Sequence, residues 1–243
     1  MSSLEIPILF EDGDYIVINK PAGLVVHADG RTIEESVASW VLVKHPEMKE
    51  VGEPLVLANG EAITRPGIVH RLDRETSGVL ILAKNQNAFL HLKQQFQDRV
   101  VGKKYHTFVY GNLKDDEGEI NRPIGKSSKD FRRWSAQPGA RGELREAQTL
   151  YRVLGRTKGL TFVEVEPKTG RTHQIRVHFK AIHHPVICDK LYAENQPKML
   201  GFERTALHAR EITFLNVAGK PTTVEAPYPP DFLAALEEFN NLQ

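Results

Sequence analysis

His70-Arg71-Leu72-Asp73-Arg74-Glu75-Thr76-Ser77-Gly78 runs directly into Val79-Leu80-Ile81-Leu82-Ala83. The second block is a continuous apolar run of strand length, bounded by glycine on one side and Lys84-Asn85 on the other, so it reads as a buried strand. The first block places charges, a histidine and two hydroxyls at the entry to that strand. Such a position is the rim of a core, where a scaffold holds functional loops. The same residues also read as a capped turn, with Asp73 and Thr76 satisfying backbone N–H groups.

Upstream, Ile6 to Phe10 and Tyr15 to Ile18 are apolar runs separated by Glu11-Asp12-Gly13-Asp14, which reads as a hairpin. Leu24 to Val26 suits a short strand. Thr32 to Lys44 suits a helix with Ile33, Val37, Trp40 and Val41 on one side, ended by Pro46. Residues 47 to 65 read as a long loop or β-excursion. Downstream, Asn87 to Val100 is an amphipathic helix with Phe89, Leu92, Phe96 and Val100 inward. Tyr105 to Tyr110, Gln148 to Leu154, Leu160 to Glu166, Ala206 to Val217 and Thr222 to Ala226 read as strands. Arg171 to His183 reads as a helix with Ile175, Phe179 and Ile182 inward and His173, Arg176, Lys180 and His183 on a neighbouring face. Pro230-Asp231 opens a last helix with Phe232, Leu236 and Phe239 inward. No repeat or linker is visible, so one α+β domain over residues 1–243 is the simplest organisation.

The chain has 243 residues, 40% hydrophobic and 26% charged, an ordinary globular composition. Its single cysteine, Cys188, excludes an intramolecular disulfide and a thiolate-only metal cage, and fits a reducing cytosol. No apolar run approaches the roughly 18 residues of a membrane helix. The first residues lack a basic start and an apolar stretch, so no signal peptide is expected. These readings together point to a cytoplasmic protein. Net charge is +1, but Arg99 to Lys180 carries 18 Lys/Arg against 9 Asp/Glu. A basic middle between acidic flanks suits a polyanion such as nucleic acid, or is a cluster on a solvated face. Asn121 to Arg145 is the densest part, with Arg132 and Arg133 beside Phe131 and Trp134.

Two further stretches have chemical potential. In Glu166 to His178, Gly170 and Thr172 suit a helix start, whose N–H groups favour phosphate. Arg171 and Arg176 can each grip a phosphate or carboxylate with two N–H groups; a solvated basic helix is the plainer alternative. In Lys103-Lys104-Tyr105-His106, a tyrosine behind two lysines could stack on a base beside a phosphate track, although strand tyrosines are more often packing residues. The histidines between His173 and His184 lack the spacing of a zinc hydrolase, so no metal is expected. There is no Gly-x-Ser-x-Gly elbow and no phosphate-cradling glycine loop.

His70 to Gly78 resembles the signature of the RluA-type pseudouridine synthases. Asn19-Lys20-Pro21-Ala22-Gly23, Lys104-Tyr105, Gly170 to His178, His184-Pro185-Val186 and Leu207-His208-Ala209 follow in that family's order, so the likeness runs from about Ile6 to Phe232. The resemblance implies a bent, mixed, mainly antiparallel sheet flanked by helices, forming a single catalytic domain. It implies isomerisation of a uridine in structured tRNA or rRNA to pseudouridine, without cofactor or metal. It assigns Asp73 as the catalytic carboxylate, Arg176 as its basic partner and Tyr105 as the residue packed on the target base. The nucleotide must be flipped out of its stack to be reached. Arg71 resembles the arginine that fills the gap so left, and His70, Lys104, Arg171, Arg132 and Arg133 are the expected RNA contacts. Longer relatives carry an RNA-binding module before this domain; with the hairpin starting at Ile6, none is expected here. No obligatory protein partner and a monomer are expected. Cys188-Asp189 stands where relatives have Gly-Asp, which questions the local turn; Asn216-Val217 replaces a common His-Pro. A binding protein that has lost activity is disfavoured by the joint presence of Asp73, Tyr105 and Arg176, and a metal-dependent hydrolase by the histidine spacing.

Overall fold

A computed structural model describes residues 4–27, 34–56, 60 and 62–242. Along the chain these form β1 (Ile8–Glu11), β2 (Tyr15–Lys20), α1 (Val37–Lys44), a 3-10 turn (Pro46–Met48), β3 (Leu55–Val56), β4 (Ala62–Ile63), β5 (Ser77–Ala83) and α2 (Gln86–Gln97). Then follow β6 (Gly102–Tyr110), β7 (Glu117–Asn121), β8 (Ile124–Lys126), β9 (Trp134–Ser135), β10 (Arg141–Arg145), β11 (Gln148–Thr157) and β12 (Leu160–Pro167). The chain ends with α3 (Gln174–Ala181), β13 (Leu207–Leu215), β14 (Pro221–Glu225) and α4 (Pro230–Asn241). Among the described strands, β1–β2, β2–β5, β6–β12, β12–β11, β11–β7 and β13–β14 pair antiparallel, and Val25 and Ser36 form a single-residue parallel bridge outside the named strands. The fold is therefore α+β with a mixed, mostly antiparallel sheet. Two compact units arise, one of Met1–Gly102 with Ala209–Pro227, the other of Lys103–His208 with Tyr228–Gln243.

In the first unit the expected hairpin forms from β1 and β2. The Asp12 carboxylate closes its turn by accepting from the N–H groups of Asp14 and Tyr15 at 2.8 and 2.7 Å. β2 pairs with β5, Tyr15 opposite Ala83 and Lys20 opposite Gly78. Every β5 residue is buried, as its uninterrupted apolar run requires. The Ala209–Leu215 part of β13 lies beyond β5 and carries β14 as its hairpin partner. Asn85 caps α2 by accepting from the Ala88 N–H at 2.9 Å. Phe89 and Leu92 are buried as expected, but Val100 is exposed. The helix has ended at Gln97, and Arg99 at φ +60° turns the chain away. Gln95 takes the inward place, its amide exchanging two 2.8 Å hydrogen bonds with the Leu215 backbone like an extra strand residue.

The Leu24–Val26 strand reduces to the Val25 bridge, whose carbonyl accepts from Val37 N–H at the start of α1. That helix begins at Val37, with Ser36 and Ser39 forming a capping box. Val37, Trp40 and Val41 are buried, while Ile33 lies outside the described residues.

In the second unit β6, β12, β11 and β7 form an antiparallel run. Its core is aromatic: Phe108 stacks on Phe162 at 4.6 Å, and Phe202, Phe232 and Phe239 close around it. α4 supplies the last two of these, anchored by a bidentate Arg204–Asp231 pair at 2.7 and 3.0 Å. The basic stretch, to which the sequence reading assigns no element, contributes a three-stranded sheet, β10-β8-β9. α3 starts later than expected. His173 adopts φ +56°, so Gly170 and Thr172 belong to a turn and not to the helix start.

Gly78 joins the charged block to β5 at φ +110°, and a Cβ there would sit 2.1 Å from the Ala209 carbonyl oxygen. Both strain and clash fall on backbone that cannot yield. Gly78→Ala is expected to destabilise the fold by about 2–4 kcal/mol in urea unfolding; a variant within experimental error of the parent would remove this constraint.

Candidate functional site

In the first unit, the residues before β5 are held from beneath by a buried cation. Lys20 is fully buried and donates to the carbonyls of Pro21, Leu24 and Arg74 at 2.8, 2.8 and 3.1 Å. A buried ammonium needs that many acceptors to offset its lost hydration. Gly23 N–H also donates to the Arg74 carbonyl at 2.9 Å, and Thr76 N–H to that of Asp73 at 3.1 Å. Arg74 is spread outward in a bidentate pair with Glu34, at 2.7 and 2.9 Å. His70 stacks on Phe96 at 4.8 Å, and its Nε2 accepts the Ile81 N–H at 3.1 Å. With Leu72 buried as well, Asp73 is fixed at half-burial and Arg71 is left exposed, 3.5 Å from His27. Three sequence-chosen residues, His70, Arg71 and Asp73, thus share one braced turn.

In the second unit, α3 presents Arg176, which is 7% exposed. Its Nε and one terminal nitrogen donate to Asp189 at 2.6 and 2.8 Å. Asp189 also accepts from the N–H groups of Leu191 and Tyr192 at 2.9 and 3.1 Å. The Arg176 guanidinium lies 5.1 Å from the Tyr192 ring centre, within cation–π range. Arg171 stands at the turn before α3 and donates from Nε to the Glu146 carbonyl at 3.0 Å.

Tyr105 and Lys104 are half-buried on β6, with Tyr105 opposite Val165 and packed on the aromatic core. Lys103 shares the Tyr105 face of the strand. Burial holds its ammonium below the usual lysine range, partly countered by Glu166 and reinforced by Lys168. The β8–β9–β10 sheet displays the basic stretch. Arg132 pairs with Asp130, whose carboxyl that hydrogen bond pushes down to about 2. Arg133 forms ion pairs with Asp130 and Glu194 and donates a hydrogen bond to Glu194. Lys126 sits 4.1 Å over the Trp134 ring, and Phe131 is 86% exposed.

Three residues here escape a reading of the sequence. Lys20 is visible there only as part of Asn19-Lys20-Pro21-Ala22-Gly23, and nothing local says that a lysine after an apolar strand is buried. Asp189 and Tyr192 are three apart, the spacing of an aspartate that caps its own turn, a signal too common to single them out. The Cys188-Asp189 departure has a structural meaning: Cys188 adopts φ +56°, a conformation that favours glycine.

The model of the RNA pseudouridylate synthase family matches residues 14–181. The chain belongs to that family. Its members are isomerases that convert uridine in RNA to pseudouridine, and this chain is an enzyme of that class. An RNA pseudouridine synthase of Synechocystis sp. is 36% identical over 231 residues, which cover 95% of this chain and 68% of that one. The ribosomal large subunit pseudouridine synthase D of Zymomonas mobilis is 33% identical over 235 residues, covering 94% and 71%. The fold is similar to that of human RNA pseudouridylate synthase domain containing 1, with a TM-score of 0.73 at 24% identity over 97% of this chain and 89% of that one. As the resemblance implies, this pseudouridine synthase has the family's α+β architecture. Among the described residues, no helix is long and apolar enough to cross a membrane.

Behind Arg176, α3 is tied down by His178, which is fully buried. Its Nε2 meets the Arg122 carbonyl at 2.9 Å and therefore carries the proton; Nδ1 accepts from the Thr149 hydroxyl at 2.8 Å. Burial holds this imidazole below the ordinary histidine pKa of 6.5. The unfolded chain takes up the proton near its ordinary value, so it binds more protons than the folded state just below it. Stability is then full above about pH 6.5 and falls as pH drops towards the folded pKa. Thermal unfolding between pH 7 and 5 is expected to show a shallower pH slope for His178→Gln than for the parent; equal slopes would contradict this.

Proposed function

We propose that this enzyme isomerises a uridine in structured RNA through Asp73, with Arg176 and Tyr105 as its other catalytic residues. The observation that carries the reading is the family match across residues 14–181, a span that contains all three. Asp73 acts as an ionised carboxylate, either as nucleophile or by stabilising positive charge on the ribose as the N1 glycosidic bond breaks. The uracil turns, and its C5 bonds to the ribose. Atoms are conserved, nothing is oxidised, and no cofactor is needed for the balance. Tyr105 packs on the base and takes part in proton movement during rearrangement. Arg176, held by Asp189, supplies the basic group.

The target nucleotide leaves its stack at a cost of about a few kcal/mol, and Arg71, exposed beside Asp73, occupies the space it vacates. His70 borders this contact while holding the turn on β5. Lys104, Arg171, Arg132 and Arg133 line the phosphate path. Ribosomal RNA is the favoured substrate, because relatives matched over nearly the whole of this chain are named as ribosomal large subunit synthases. A tRNA stem-loop would be the other outcome of the mapping below. The enzyme works as one catalytic domain and as a monomer; the single-domain reading is supported by a family match that extends through residues of both units.

RNA from cells lacking the enzyme, incubated with purified protein and mapped for pseudouridine, tests this reading. Site-specific conversion supports it, and no new pseudouridine in ribosomal or transfer RNA overturns it. Asp73→Asn is expected to abolish conversion while RNA binding stays within about tenfold, or 1.4 kcal/mol; retained turnover would exclude Asp73 as the catalytic group. Replacing Arg132 and Arg133 by alanine is expected to weaken binding and flatten its salt dependence, by about 0.7–0.9 in slope for each phosphate that is no longer neutralised. An unchanged salt slope would place the RNA elsewhere.

A further inference from the structure

The basic three-stranded sheet and the arginine of α3 converge on one side chain, Tyr192. It is buried, and its ring and hydroxyl have different partners. The ring lies under the Arg176 guanidinium, 5.1 Å from centre to centre. The hydroxyl oxygen accepts the backbone N–H of Trp134, in β9, at 3.0 Å. The same hydroxyl lies 2.9 Å from Nδ1 of His173, the residue that caps α3. Since an amide can only donate, the hydroxyl oxygen is the acceptor of the Trp134 bond.

The surroundings reinforce this junction. Tyr192 shares a small apolar cluster with Ile124 of β8 and Val177 of α3, and Trp134 packs against that cluster. Asp189, which holds Arg176, also accepts the Tyr192 N–H and so fixes the tyrosine backbone. β9 carries Trp134, half-buried beneath Lys126, on the sheet that displays Arg132, Arg133 and the exposed Phe131. One rigid residue thus connects the surface proposed to grip RNA with the cation proposed to act in the reaction.

We infer that Tyr192 is a positioning residue that couples RNA engagement by the β8–β9–β10 sheet to the placement of Arg176. This rests on the proposed roles of that sheet and of Arg176. Its hydroxyl serves docking, by holding β9 in register with the start of α3. Its ring serves catalysis, by holding the plane of the Arg176 guanidinium against movement. The two functions are separable because they reside in different atoms.

The test is steady-state and binding analysis of the full chain on ribosomal RNA from cells lacking the enzyme. Tyr192→Phe keeps the ring and deletes the hydroxyl. It is expected to raise KM and the RNA dissociation constant about tenfold, the scale of one or two deleted hydrogen bonds, with kcat changed less than about twofold. Tyr192→Leu removes the ring as well and is expected to lower kcat in addition. A merely structural residue would lower the folded fraction without dividing the two parameters in this way. The inference is overturned if Tyr192→Phe leaves KM and binding at parent values, or lowers kcat at unchanged KM. If Tyr192→Leu does not fold, the Tyr192→Phe split alone decides. Arg132→Ala/Arg133→Ala serves as the reference. Should it weaken binding while Tyr192→Phe does not, the coupling fails and the RNA path stands. Should neither weaken binding, the RNA path itself is wrong.

Discussion

A buried carboxylate gripping a buried guanidinium sets the terms for the second unit. Asp189 has four donors on its two oxygens: two nitrogens of Arg176 and two backbone N–H groups of its own turn. Removing both charges from water is costly unless geometry and hydrogen bonding are nearly complete, and breaking such a pair costs about 3–5 kcal/mol. The pair therefore does more than add stability. It specifies where α3 sits relative to the Asp189 turn, and it leaves the planar guanidinium of Arg176 with little freedom to rotate. A lysine at this position would keep the charge but not the fork.

The first unit solves a related problem with a different group. Lys20 is buried and donates to three backbone carbonyls, contributed by the Pro21–Leu24 turn and by Arg74. That ammonium welds the turn after β2 to the turn that carries Asp73. Gly78 allows the same segment to pass within clash distance of Ala209, and His70 anchors it on β5. In each unit a residue proposed for chemistry is thus held by a buried cation or ion pair that also bonds backbone groups. Neutral, well-packed alternatives could be as stable, but they would not fix direction as hydrogen bonds do.

Much of the scaffold is legible in the residues alone. Val79 to Ala83 can only be a buried strand, and the hairpin around Asp12 follows from its turn residues. The apolar stripes of α2 and α4 are correctly placed at Phe89, Leu92, Phe232 and Phe239. The failures have local causes. Periodicity turns Val100 inward because it cannot see the left-handed Arg99 beyond the helix end. It draws α3 too long because His173 in the same conformation leaves no sequence signal. The β8–β9–β10 sheet escapes since its short strands are rich in charge and glycine, against strand preference, and depend on packing with Tyr192 and Val177. For the site, motifs name the candidate residues. The partners that position them, Lys20, Asp189 and Tyr192, come from contacts distant in sequence or from turns too ordinary to notice.

The catalytic role proposed for Arg176 requires a fixed, planar cation and not a general positive charge. The most direct test is the single-turnover rate of Arg176→Lys on a mapped RNA target, measured at saturating protein and alongside RNA binding. The rate is expected to fall at least about a hundredfold, near 2.7 kcal/mol, with binding largely kept. A lysine variant that converts uridine within about threefold of the parent rate would contradict it.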